Sequence, residues 1–262
     1  MQHSDDNDTP TTPIKSKAPA VDMSVQIMDV VATSPYPLTL SEICNEIGIP
    51  AASGHRVINA LLAHEMIAHD ANRKKAYCIG SKIFQIASTI YNKQSIIPFF
   101  YPVAEILKNE IHKSIYLYSA VGNNVVSVAK VDFTSGGVPS YHIGQTLPMH
   151  ASAAGIAMLS MANNTQQQNY LESFKRIETQ SLQIEKTIQE ALTRAKRLGY
   201  AVTQKENDKP LCCIAAPVLN LRNEPIAAIS AVINSETLSA QSARHYSKNI
   251  VQAARQLSAH II

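Results

Sequence analysis

The chain of 262 residues lacks the short motifs by which many enzymes hold a phosphate, a metal ion or a reactive nucleophile. It contains no glycine-rich phosphate loop, no G-x-S-x-G nucleophile elbow, and no Cys-x-x-Cys or Cys–His spacing that would bind zinc. Two of its four cysteines, Cys212 and Cys213, are adjacent and therefore poor partners for a disulfide. These absences predict a protein without a metal ion or cofactor, in a reducing, cytoplasmic setting.

Long apolar runs and a strong net charge are absent as well. No stretch approaches the ~20 apolar residues of a membrane span, and the N-terminus has no apolar signal-peptide core, so no membrane association is expected. The formal net charge of +3 is too small to indicate nucleic-acid binding, so such a function must be argued from local clusters. The length and the 45% hydrophobic content allow two domains, each with its own core.

Residues 38–64 predict two helices joined by a short turn. Thr39 and Glu42 form the S/T-x-x-E pattern of a capping box at the start of the first helix. Gly48 tolerates the left-handed conformation that ends a helix, and Pro50 is expected at the first position of the second helix. A turn of about three residues is typical of a helix-turn-helix, although an ordinary amphipathic pair in an all-helical domain is the alternative.

The outer face of the second helix carries Arg56 and Asn59. Arginine can pair with guanine, and asparagine with adenine, through two hydrogen bonds each. This face is therefore suited to reading base edges in a major groove. The alternative is an ordinary surface on which the Arg56 side chain is simply solvated.

A predicted β-hairpin follows the second helix directly. Two short apolar runs, 66–70 and 76–79, flank a basic tip that contains Arg73, Lys74 and Lys75. A hairpin in this place is the wing of a winged helix-turn-helix, and its cations are expected to contact phosphates with salt-dependent, sequence-independent affinity. Taken alone, three adjacent basic residues indicate only a solvated loop tip.

The segments around this unit predict a tail and a linker. Residues 1–20 contain almost nothing to bury and are expected to be disordered. The winged domain is assigned to residues 21–80 and begins with an amphipathic helix that ends before Pro35. Residues 81–97 predict an apolar linker helix that packs on a second subunit, the alternative being that it docks on its own C-terminal domain.

Residues 98–262 predict an α+β domain in which helices flank an antiparallel sheet. Strands 114–120 and 125–130 form a hairpin, because Gly122 supplies the turn chemistry between them. The other predicted elements are helices at 103–111, 151–162, 182–198 and 239–260, strands at 200–204, 212–219 and 226–234, and a flexible connection at 134–139.

Three segments together resemble the IclR family of bacterial transcriptional regulators: GIPAASGHRVINAL, IGQTLPMHASAAGIAML and RLGYAVTQKENDKPLCCIAAPVLNLRNEPIAAISAVI. The similarity runs from about residue 21 to the C-terminus. It implies a winged helix-turn-helix that binds double-stranded operator DNA as a dimer or as a dimer of dimers. It also implies a linker helix and a GAF-like α/β domain that binds a small-molecule effector.

The resemblance also implies an effector site for a carboxylate. Family ligands are held by backbone N–H groups at the start of a small-residue helix, where the helix dipole favours an anion, and by side chains of the C-terminal strands. Two matching positions are less polar than in a member that binds a very small acid, with Thr203 in place of Asp and Val232 in place of Ser. We therefore expect a larger or more apolar ligand, such as an aromatic or branched carboxylate. The matching positions are Ala153, Ala154, Thr203, Leu211, Cys213, Ser230 and Val232.

The recognition helix also departs from the family, which often has Lys-Ser-Thr near its start. This chain has Ala51, Ala52 and Ser53 there, followed by Gly54, so the target sequence cannot be transferred from relatives. The candidate DNA contacts are Ala51, Ala52, Ser53, His55, Arg56 and Asn59 on the helix, with Arg73, Lys74 and Lys75 on the wing.

Two other functions stay open from the residues. An enzyme would use His150, Cys213 and Cys212 with a carboxylate as a nucleophile–base set. Cys213, however, lies in an apolar run where a cysteine is usually buried and inert, so no enzyme is expected. Alternatively, the C-terminal domain serves only oligomerisation. A sensor would work by linkage, since a metabolite alters operator affinity only by binding one quaternary arrangement better than another.

Overall fold

The structure is a computed structural model that describes residues 16–93, 96–133, 141–175, 181–203, 211–234 and 238–261. The chain divides into two compact units, residues 1–93 and 94–262. Most of the predicted tail and the predicted connection at 134–139 lie outside the described residues. Within the tail, however, the first helix already begins at Pro19, because proline is tolerated in the first turn of a helix.

The first unit is a three-helix core with a small antiparallel sheet. The two predicted helices and the predicted hairpin are confirmed, whereas β1, which pairs with β3, has only two residues and was missed. The sheet order is β1-β3-β2. The elements are α1 (Pro19–Thr33), β1 (Leu38–Thr39), α2 (Leu40–Ile47), α3 (Ala51–Ala63), β2 (Ile67–His69), β3 (Ala76–Ile79) and α4 (Ser81–Lys93).

The predicted chemistry of the helix-turn-helix is present in detail. Glu42 Oε2 accepts the backbone N–H of Thr39 at 2.8 Å, and the Thr39 hydroxyl accepts the N–H of Glu42 at 3.4 Å, which completes the capping box. Gly48 has φ +68° and ends α2. Pro50 differs from the prediction by one residue, because its extended backbone makes it the N-cap and α3 begins at Ala51.

The helices α2 and α3 approach each other closely at Gly54. A Cβ atom at this position would lie 2.4 Å from the sulfur of Cys44, which is far inside van der Waals contact. Glycine therefore permits the close packing of α3 on α2. The core around this contact is formed by fully buried isoleucines, namely Ile27, Ile43, Ile58 and Ile67.

The second unit is a six-stranded antiparallel sheet of order β6-β5-β4-β9-β8-β7. One face packs on α5 and α9, and the other on α6, α7 and α8. The elements are α5 (Ile97–Ile111), β4 (Ile115–Val121), β5 (Asn124–Val131), β6 (Thr146–Pro148), a 3-10 helix (Met149–Ala151), α6 (Ala153–Met161), α7 (Asn164–Lys175), α8 (Ser181–Leu198), β7 (Ala201–Thr203), β8 (Leu211–Leu219), β9 (Pro225–Asn234) and α9 (Ala240–Ala259).

Three features of this unit differ from the prediction. Helix α5 begins six residues before the predicted start at 103, because Pro98 occupies its first turn and Pro102 stays inside it. The strand β6 and the helix α7 were both missed. The described positions of α7 are mostly polar, and Tyr170 and Leu171 are buried there, so its sequence gives little helical periodicity.

Candidate DNA interface and ligand site

The helix α3 presents the predicted contact residues on one outer face. Val57, Ile58 and Leu61 are buried on the opposite face, so the amphipathic pattern fixes which side is turned outward. Residue by residue, Ala51, Ala52, His55, Arg56 and Asn59 are exposed, and Ser53 is half-buried. The side chains of Asn59 and His55 are hydrogen-bonded, with Nδ2 3.3 Å from Nδ1, a contact expected for residues four apart on a helix.

The wing places its three basic residues in two different environments. Lys74 and Lys75 are exposed at the tip, as the sequence predicted. Arg73 is half-buried and is paired within the domain: its Nη2 lies 2.7 Å from Glu42 Oε1, and its Nη1 donates to the carbonyl oxygen of Pro37. The phosphate contact of Arg73 stays a prediction, and a carboxylate and a carbonyl of the same domain already bind its guanidinium.

The ion pair of Arg73 and Glu42 changes the electrostatics of the helix-turn-helix. The hydrogen bond from Arg73 is the largest cause that lowers the pKa of Glu42, to about 2, and the backbone N–H of Thr39 adds to it. The same hydrogen bond raises the pKa of Arg73. Both groups are fully charged at neutral pH, and their ion pair joins the wing to the start of α2.

In the second unit, the start of α6 is shaped by side chains and by close backbone contact. Ser152 is the N-cap, and its hydroxyl accepts the N–H of Gly155 at 3.0 Å. A Cβ at Gly155 would lie 2.3 Å from the backbone of Met149, so the 3-10 helix can press against this turn only if glycine is present. Ala153 and Ala154 form the first turn, where the positive end of the helix dipole favours an anion.

The predicted ligand-contacting strand residues converge on the same layer. Cys213 lies between Thr203 of β7 and Val232 of β9 in one row across three strands. Ser230 lies two residues from Val232 and is buried, so it shares that face of β9. The common core of this layer contains Ala153, Ala154, Leu211, Cys213 and Val232. The structure thus brings the start of α6 and these strand positions together, with Thr203 half-buried at the edge strand.

Buried tyrosines on this face were not identified from the sequence. Tyr116 and Tyr118 of β4 belong to the same core, and the Tyr116 hydroxyl accepts the N–H of Tyr141 at 3.2 Å. The rings of Tyr116 and Tyr141 are edge-to-face, with centroids 5.7 Å apart. Register places Tyr116 directly opposite Ser230. The signal was present, because period-2 alternation along β4 places both tyrosines on one face.

The residues of the alternative catalytic set do not all lie on one face of the sheet. Cys212 and Cys213 belong to the cores on opposite faces of the sheet, so the two thiols cannot act together at one centre. Nδ1 of His150 lies 2.7 Å from the hydroxyl of Tyr170, which also accepts the backbone N–H of His150 at 3.0 Å. Burial raises the pKa of that tyrosine. These bonds hold α7 to the segment that leads into α6.

The described residues contain neither a metal-binding cluster nor a membrane-spanning helix. Among those residues, no three His, Cys, Asp or Glu side chains cluster closely enough to hold a metal ion. No helix there is both long and apolar enough to cross a membrane.

A winged helix-turn-helix followed by an α/β domain is the domain organisation of a class of bacterial transcriptional regulators. The chain belongs to the IclR family: the IclR helix-turn-helix domain matches residues 20–71, and the bacterial transcriptional regulator IclR C-terminal domain matches residues 88–259. The α+β fold and the family predicted from the sequence are both confirmed.

Known proteins are similar in sequence or in fold to this chain over nearly its whole length. The HTH-type transcriptional regulator KipR of Bacillus subtilis is 25% identical over 251 residues, covering 95% of this chain and 99% of that protein. The crystal structure of the Thermotoga maritima IclR has a TM-score of 0.72 at 16% identity and covers 92% of this chain and 98% of that one. An IclR homologue complexed with 4-hydroxybenzoate, from Microbacterium hydrocarbonoxydans, has a TM-score of 0.69 at 17% identity, again covering 92% and 98%.

Proposed function

We propose that this transcriptional regulator binds operator DNA through α3 and the wing, and that a small carboxylate bound in the second unit controls its operator affinity. The observation that carries the proposal is the convergence of the α6 N-terminus with Cys213, Ser230 and Val232 on one buried layer. Neither feature alone indicates a ligand. Together they supply an anion-favouring helix end and the strand positions that match the effector site of the family.

The DNA contacts divide by chemistry. Arg56 and Asn59 lie on the exposed face of α3, where they would read base edges, and Ser53 and His55 are placed beside them. Lys74 and Lys75 at the wing tip would bind phosphates and contribute salt-dependent affinity. Ala51 and Ala52 bring the first turn of α3 close to the DNA because they have no bulky side chains.

The proposed ligand is an aromatic carboxylate. Thr203 and Val232 make this layer less polar than in a member that binds a very small acid, and the buried tyrosines at 116, 118 and 141 place aromatic rings in the same layer. Edge-to-face contact with such rings favours a flat apolar ligand over a two-carbon acid. The homologue that binds 4-hydroxybenzoate supports this ligand class.

Dimerisation is the proposed route by which ligand binding reaches the DNA. Helix α4 exposes 69% of Phe84 and 47% of Ile86, so apolar side chains are left for a second subunit to cover. Two recognition helices joined in this way would read two half-sites. The ligand then changes operator affinity by favouring one arrangement of the dimer.

Anisotropy titration tests the proposal. Purified protein is titrated against labelled duplexes that cover the promoter regions of its own genome, and against random duplex, at physiological ionic strength. The proposal expects at least one preferred fragment, whose dissociation constant changes when 4-hydroxybenzoate or a related aromatic acid is added. No preference for any fragment refutes operator binding. Preference without a response to any carboxylate, and without heat of binding in calorimetry, would indicate a C-terminal domain that only oligomerises.

A further inference from the structure

The guanidinium of Arg73 connects the wing to the start of α2. Its Nη2 binds Glu42 Oε1 at 2.7 Å, and its Nη1 donates to the carbonyl oxygen of Pro37 in the segment that precedes β1. The Cζ atom lies 5.7 Å from the centre of the Tyr36 ring, within range of a cation–π contact. The ion pair closes a gap of 31 residues in the chain, between two elements that both belong to the DNA-binding unit.

Glu42 serves two elements with its two oxygens. Oε2 accepts both the backbone N–H and the hydroxyl of Thr39 at 2.8 Å, which caps α2, and Oε1 holds Arg73. On the wing side, Asp70 Oδ1 accepts the backbone N–H of Arg73 at 2.6 Å, so the residue is fixed at its main chain as well as at its side chain. The wing tip is thereby oriented by the same carboxylate that starts α2.

We infer that Arg73 is a positioning residue for DNA binding, acting through Glu42, and that it does not itself contact DNA. The inference rests on the proposed phosphate contacts of Lys74 and Lys75, whose placement the ion pair fixes. A planar guanidinium that satisfies a carboxylate, a carbonyl and an aromatic face at once is the group best suited to this task. A lysine ammonium lacks the planar fork that lets arginine bind two oxygen atoms while it lies over an aromatic ring.

For Glu42→Gln, the positioning role of Arg73 and the change in charge predict opposite effects on DNA affinity. Glu42→Gln removes a negative charge from the DNA-binding unit, so charge alone predicts tighter DNA binding. The glutamine still caps α2, because capping boxes accept glutamine, but the charged partner of Arg73 is lost. If Arg73 positions the wing, Glu42→Gln weakens binding roughly three- to tenfold and makes the salt dependence shallower, because Lys74 and Lys75 lose register with the phosphates.

The matched control is Glu46→Gln, which removes an exposed acid from the same helix. It is expected to leave binding unchanged or to tighten it. Arg73→Lys keeps the positive charge and is expected to weaken DNA binding as Glu42→Gln does. The double variant should bind DNA no more weakly than the weaker-binding single variant, because the two residues form one contact. Tighter binding by Glu42→Gln, or near-wild-type binding by Arg73→Lys, would overturn the inference.

Hydrogen exchange without DNA keeps this test separate from the proposed interface. Amides of the wing between residues 70 and 76 should exchange faster in Glu42→Gln than in wild type or Glu46→Gln, while amides of α1 and α3 stay unchanged. Unchanged wing exchange would overturn the positioning role even if DNA binding fell. A different result is faster wing exchange in Glu42→Gln combined with unchanged DNA affinity in Lys74→Ala. It would support the role of the Arg73–Glu42 pair in holding the wing and would reject the proposed phosphate contact of Lys74.

Discussion

Individual side chains on α3 and the wing are expected to make contributions of different kinds to DNA binding. Arg56 is exposed on the recognition face, and Lys74 is exposed at the wing tip. A base contact discriminates between sequences, whereas a phosphate contact contributes equally to all of them. The two positions therefore allow a matched comparison within one domain.

Arg56→Ala is expected to reduce the preference for the operator over random duplex by about 1–3 kcal/mol, since the loss of a bidentate guanine contact costs that much. Lys74→Ala should weaken binding to both duplexes about equally. It should also make the negative slope of log K against log salt shallower by about 0.9, because one phosphate contact is lost. Anisotropy titrations at several salt concentrations measure both effects. Equal losses of discrimination in the two variants would contradict the assignment.

At Gly54, one missing side chain governs how two helices pack. Gly54→Ala places a methyl group 2.4 Å from the Cys44 sulfur, and we expect a loss of about 1–3 kcal/mol in the free energy of unfolding. In a Cys44→Ala background the sulfur is gone, and alanine then gains about 1 kcal/mol from its higher helix propensity. Urea denaturation of the four proteins in this cycle measures both values. The same sign in both backgrounds would refute the steric explanation.

At the scale of elements, the Arg73–Glu42 ion pair makes the stability of the first unit depend on pH. Folding lowers the Glu42 pKa from 4.5 to about 2, so the unfolded chain binds more protons between these values and stability rises with pH there. The contribution is fully present above about pH 4.5 and is lost as the pH falls toward 2.

Thermal denaturation between pH 3 and 6 measures this effect. Wild type should have a higher Tm than Glu42→Gln near pH 6, and the difference should narrow as the pH falls. Added salt should narrow it as well, because both side chains are partly exposed and solvent ions screen the pair. A difference in Tm that stays constant over the whole range would show that Glu42 acts without its charge.

The predicted elements differ in how local their causes are. The capping box at Thr39, the end of α2 at Gly48 and the hairpin turn at Gly122 were predictable because each depends on a few neighbouring residues. The strand β1 was not, since two residues carry no periodicity and its pairing depends on β3. The partner of Arg73 was equally hidden, because an ion pair across 31 residues leaves no mark in the local pattern.

In the candidate ligand site, too, features that depend on distant contacts could not be predicted from the local sequence. Its backbone and strand positions were predictable only through the family resemblance, because Cys213 and Val232 look like ordinary core residues in an apolar run. The structure adds that they lie directly opposite each other on neighbouring strands. Tyr116 and Tyr118 were visible as an alternating pair, but their position relative to α6 depends on how the layers pack.

At the scale of the whole molecule, the exposed apolar side chains of α4 are expected to hold two subunits together. Phe84→Asp should raise the dimer dissociation constant about tenfold or more, because a charge replaces a large apolar side chain at the proposed contact. Leu221→Asp is the control, since Leu221 is 77% exposed in the turn between β8 and β9. Sedimentation equilibrium measures both. A dimer equally stable in both variants would remove α4 from the interface.

The adjacent thiols of Cys212 and Cys213 can report separately on the two helical layers of the second unit. Neighbouring residues in a strand point to opposite sides of the sheet. The Cys212 thiol is therefore buried on the face covered by α5 and α9, and the Cys213 thiol on the face covered by α6. A rearrangement that loosens one layer uncovers one thiol and leaves the next one closed. Two consecutive positions thus distinguish which half of the sandwich has opened.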